Sequence, residues 1–81
     1  MNHYIGLLYV ESSLGDLKDA CEDLGIIPQN VKIEEGLCFF DVHLLTSDNY
    51  EDPEMYFDSL ARDLSEYMNR EVVLEDIEEE N

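Results

Sequence analysis

Eighty-one residues with 44% hydrophobic content make one small domain, near the lower limit at which a core holds without staples. The apolar residues come in periodic runs, which excludes a disordered chain. Twenty-one acids against four Lys and Arg give a net charge of −17, which counts against a nucleic acid or an anionic membrane surface as direct partner.

The first element is read from residues 3–11, HYIGLLYVE, a continuous apolar run that fits a central strand buried on both faces. Residues 12–25, SSLGDLKDACEDLG, follow as a helix. Ser13 caps it with Asp16 three positions on, Leu14, Leu17, Cys21 and Leu24 fall on one face, and Gly25 suits the stop. Residues 31–35 alternate as a short strand, and Glu34-Glu35-Gly36 is a tight turn into a second long apolar strand, 37–45. After a polar loop over 46–53, Asp52 caps a helix with Pro53 at its first position. Phe57, Leu60, Ala61, Leu64 and Met68 carry that helix at regular spacing to about Asn69. Residues 71–77 close as a fourth strand and EEEN trails off, so the chain divides into a domain over 1–77 and an acidic tail over 78–81.

The order β-α-β-β-α-β resembles the ferredoxin-like split βαβ sandwich across essentially the whole chain. The resemblance implies a single-domain α+β fold, a four-stranded antiparallel sheet with two helices on one face and the two long apolar segments as central strands. It carries no function, because that architecture hosts many. On a helical wheel the first helix turns Asp16, Asp19 and Asp23 outward, with Glu22 on its flank. The second turns out Asp58, Arg62 and Glu66, with Asp63 on its flank. Leu37 and Phe39 share a face with Asp41 and His43, so a sheet covered by helices on one side keeps apolar area on the other. A homodimer through that open face, or a docked partner, would remove it from water; in a monomer Tyr rings and the C-terminal tail would shield it.

Reaction motifs are scarce. Asp41 and His43 lie two apart on one strand, but no Ser, Thr or Cys stands in a nucleophile motif beside them. A surface pair is the simpler reading. DNYEDPE (48–54) bunches carboxylates without the ligand spacing or glycine of a calcium loop, and the positive end of a helix dipole explains its acids. Cys21 and Cys38 form no CxxC pair and read as small core residues, with a disulfide left open. Tyr4 and Tyr9 read as strand residues, whereas Tyr50 and Tyr56, beside the acid-rich loop, are equally well read as interface anchors. No enzyme, metal or cofactor is expected. Met1-Asn2-His3-Tyr4 lacks the basic start of a secretory leader and YIGLLYV is too short to span a bilayer, so the expected setting is the reducing cytoplasm.

Charge then becomes the main functional clue. Seventeen charges match about 29 Å of duplex DNA at one charge per roughly 1.7 Å. A compact chain of this length has a radius of gyration of about 12 Å, hence a diameter of roughly 30 Å. Size, charge and compactness together are similar to the small acidic DNA-mimic inhibitors that phages direct against restriction enzymes and RNA-guided nucleases. That resemblance implies a basic nucleic-acid-binding protein as partner, a nuclease or a defence complex. It points to Asp16, Asp19, Asp23, Glu51, Asp52, Glu54, Asp58, Asp63 and Glu66 as the binding surface, extended by Glu75, Asp76, Glu78, Glu79 and Glu80. An immunity protein or antitoxin against a cationic nuclease would carry the same charge, and a dimeric ferredoxin-like regulatory module would not need it. A salt-adapted surface also explains the scarcity of Lys, without requiring any particular geometry.

Overall fold

β1 (Asn2–Glu11), α1 (Leu14–Leu24), β2 (Gln29–Glu34), β3 (Leu37–Thr46), α2 (Pro53–Met68) and β4 (Val72–Glu80) follow one another in the computed structural model. It describes residues 2–46 and 52–80. Local chemistry sets most of these boundaries. Ser13 caps α1, its Oγ accepting from the Asp16 N–H at 3.2 Å, and Gly25 closes the helix at φ 74°, a left-handed conformation that costs glycine nothing. Asp52 caps α2 by accepting from the Met55 N–H at 3.0 Å, with Pro53 behind it, and Asn69 ends the helix at φ 56°. Glu35 and Gly36, both at positive φ, make the two-residue turn between β2 and β3.

The strands form one antiparallel sheet in the order β2-β3-β1-β4, with the two apolar strands at its centre. The element order is consistent with a ferredoxin-like arrangement. One face carries Leu8 and Val10 of β1, Cys38, Phe40 and Val42 of β3, and Val72 of β4. These residues form a single core with Leu17, Ala20 and Cys21 of α1 and Phe57, Leu60, Ala61 and Leu64 of α2. Gly6 is the point of closest approach between sheet and helix. A Cβ there would lie 2.5 Å from Cδ1 of the Phe57 ring, so only glycine lets α2 settle onto β1.

Two strand limits and one facing residue differ from the sequence reading. β4 continues to Glu80 rather than ending at residue 77, so residues 78–80 are strand and not tail. The reason lies in the pairing: Glu78, Glu79 and Glu80 sit opposite Ile5, Tyr4 and His3 on the long central strand, which supplies the ladder their own composition does not promise. β2 begins two residues early, at Gln29, across an irregularity between Gln29 and Lys32. Leu24, placed on the apolar face of α1 by its spacing, is 39% exposed, whereas Ala20 is buried in its stead. No helix among the described residues is long and apolar enough to cross a membrane.

Candidate functional site

The acids that the helical wheel turns outward are solvent-exposed, Asp16, Asp19 and Asp23 on α1 and Asp58 and Glu66 on α2, as are Asp63 on the flank and Glu54 in the first turn of α2. They are not equally free. Asp23 accepts a hydrogen bond from the phenolic O–H of Tyr67, so the two acidic helices are joined at their outer surface. That bond, partial burial of the ring and the charges of Asp23 and Asp19 all raise the Tyr67 pKa above its ordinary value. Asp63 lines the adjoining groove between the end of α1 and α2, with Leu24, Ile26 and Tyr56. Asp19, Asp23, Asp63 and Tyr67 therefore belong to one ridge. Asp52 is exposed and is the cap of α2 that the sequence leads one to expect, which engages its carboxylate with the Met55 N–H. Glu51 lies outside the described residues, as do Tyr50 and the DNYE part of the acid-rich loop.

The acids of β4 go elsewhere, because alternation along a strand divides them between two faces. Asp76, Glu78 and Glu80 pair across with Leu7, Ile5 and His3 and share their side of the sheet, away from the helices. Glu79 pairs with Tyr4 on the helix side. There burial, with the charge and hydrogen bond of Glu79, raises the tyrosine pKa. Glu75 sits at the register shift between Leu7 and Leu8 and lines a hollow with Glu54 and Asp76. The expected single strip running from the helices into the C-terminal acids is thus two surfaces, meeting where Glu54 of α2 comes close to β4.

His43 does not take Asp41 as its orienting partner. Asp41 accepts from Asn30 Nδ2 at 2.9 Å, and His43 Nδ1 lies 2.7 Å from His3 Nε2 across the central strand pair. His43 Nε2 is buried with no hydrogen-bond partner among the described residues. Cys21 and Cys38 are both free and buried. Burial pushes the Cys21 thiol up to about 11, and Cys38 donates to the Ser12 carbonyl at 3.1 Å. No group of three or more His, Cys, Asp or Glu able to hold a metal occurs among the described residues.

Acid spacing did not single out Tyr67, whereas alternation along β3 already placed Leu37, Phe39, Asp41 and His43 on one open face. Tyr67 follows the outward Asp63 by four positions, which is the signal that puts both on the same side of α2. Comparison with known proteins adds no relative: no family model matches the chain, and no curated protein matches it in sequence.

Proposed function

We propose that this chain is an acidic inhibitor that occupies the cationic nucleic-acid-binding groove of a nuclease or other DNA-processing protein. In this reading it is a non-catalytic DNA mimic of the anti-restriction or anti-CRISPR kind, built on a ferredoxin-like scaffold and acting in the host cytoplasm without a cofactor. One observation carries the reading. Seventeen net negative charges are borne by a body 36 Å in its longest dimension, one per roughly 2.1 Å, against one per roughly 1.7 Å for duplex DNA. A Lys- and Arg-lined groove built to neutralise phosphates would gain comparable attraction from this surface, and its field would steer the encounter.

The exposed carboxylates of α1 and α2 support the reading because they lie on rigid elements. The short caps and the Tyr67–Asp23 bond fix them without the entropy cost of ordering a tail. The test is a bait experiment in bacterial lysate with two proteins, the native chain and a variant carrying Asp19→Lys, Asp58→Lys, Asp63→Lys and Glu66→Lys. The native chain should retain a nucleic-acid enzyme that the variant, checked for folding by circular dichroism, holds at least about tenfold more weakly. Equal retention by both, or only a smear of basic proteins released at low salt, would reject the proposal.

A further inference from the structure

The sheet face turned away from the helices has an organisation that the charge count does not contain. Cross-strand register places its residues in rows. The central row runs Lys32, Phe39, Tyr9, Val73 from β2 to β4, and the next runs Gln29, Asp41, Leu7, Asp76. On the other side Glu34, Leu37 and Glu11 form a third. The Tyr9 and Phe39 rings pack with centroids 5.4 Å apart, tilted by 42°, and remain half-buried. A hollow opens on each side of this aromatic ridge. One is lined by Leu7, Glu34, Asp41 and Glu75 with Lys32, the other by Leu37, Glu11, Glu71 and Val73 with Arg70, so carboxylates outnumber the single cation in each. Each hollow therefore offers an aromatic wall, an aliphatic floor and carboxylates at the margin.

We infer that this open face is a docking surface for a protein surface that presents arginine side chains, seated over the Tyr9–Phe39 pair. Arginine matches all three features at once. Its guanidinium stacks on an aromatic face, its stem packs on leucine and valine, and its fork of donors pairs with carboxylates. Lysine shares the charge and lacks the planar fork. Charge complementarity also selects against a second copy of this chain. A two-fold contact would set the face against itself, bringing Glu11, Glu34, Asp41, Asp76 and Glu78 toward their own duplicates, with Lys32 and the marginal Arg70 opposing them. The aromatic centre with a charged rim is the usual anatomy of a hot spot and its surround. This surface is separate from the helix ridge but shares Glu75, Asp76 and Glu78 with the acids counted in the mimic reading, so its test reads the Tyr9–Phe39 pair rather than the charge.

The experiment is an NMR titration of the isotope-labelled chain with hexa-arginine amide and with hexa-lysine amide, in about 0.15 M NaCl, where exposed charges are screened beyond roughly 8 Å. The arginine peptide should bind at least about threefold more tightly, shifting the Tyr9 and Phe39 ring signals and the amides of β1 and β3. The double variant Tyr9→Leu/Phe39→Leu keeps apolar bulk and should bind both peptides alike. If that variant does not fold, Tyr9→Leu alone should at least halve the preference. Equal binding of the two peptides by the native chain, a preference that survives the substitutions, or shifts confined to α1 and α2 would overturn the proposal. So would a dimer in sedimentation at the titration concentration with these same residues protected.

Discussion

Tyr67 of α2 donates its phenolic O–H to the carboxylate of Asp23 on α1, a contact across 44 residues of sequence that joins two helices of like charge. A neutral phenol beside a carboxylate suits such a surface, since it ties the helices without adding charge.

The folded state holds the Tyr67 phenol protonated to higher pH than an unfolded chain would, mainly through the bond to Asp23. Its contribution to stability is therefore complete below about pH 10, the ordinary tyrosine value, and is lost as pH rises through the folded-state value. The phenolate absorbance of the native chain, minus that of Tyr67→Phe, should rise at higher pH than free tyrosine. Asp23→Ala should move it back. A difference transition at the free value would show that the bond does not persist in solution.

Gly6→Ala should destabilise the protein by about 1–3 kcal/mol, because the added methyl falls against the Phe57 ring and α2 must lift from β1. Denaturant unfolding measures this. A conservative shrinking of the ring, Phe57→Leu, should recover part of the loss when combined with it, and strict additivity of the two would contradict the close approach.

Glu35 occupies the first central position of the β2–β3 turn at φ 50°, a conformation a glutamate side chain pays for and asparagine tolerates. Glu35→Asn should raise stability by roughly 0.5–1 kcal/mol and remove one negative charge with no effect on the helix ridge. A lower denaturant midpoint would count against the turn geometry.

Screening should stabilise the fold. With 21 acids against four Lys and Arg, raising NaCl from about 0.01 to 1 M shortens the Debye length from roughly 30 to 3 Å and weakens repulsion among exposed carboxylates. Each 1 kcal/mol so recovered raises Tm by roughly 4–8 °C in a domain of this size. A melting temperature that is flat or falls across that range would mean that the carboxylates are too far apart to interact.

Elements whose limits depend on neighbouring residues were legible from the chain. Ser13 and Gly25 bracket α1 and Asp52-Pro53 opens α2, because a cap is a hydrogen bond within three or four positions. The end of β4 was not legible. A run of glutamates reads as tail, and only pairing with residues 3–5 of β1 makes it strand. The same limit applies to the functional surfaces. Outward-facing aspartates on a helix follow from a 100° repeat, so the ridge could be anticipated, whereas Tyr67 meeting Asp23 and Tyr9 meeting Phe39 depend on how distant elements align. The C-terminal acids alternate between two faces once they are strand, and which face each takes follows from their pairing with β1.

A chain seated in a nucleic-acid groove must give way to nucleic acid. The nucleic-acid enzyme retained by the native chain would be immobilised and its affinity for the chain measured against rising concentrations of duplex DNA and, separately, of NaCl. If the chain occupies the groove, duplex DNA and the chain exclude one another, and affinity falls steeply and linearly on a log–log plot of NaCl concentration, as it does for phosphate contacts. A complex that admits DNA while the chain stays bound, or that keeps its affinity at high salt, would contradict it and place the chain beside the nucleic-acid groove rather than in it.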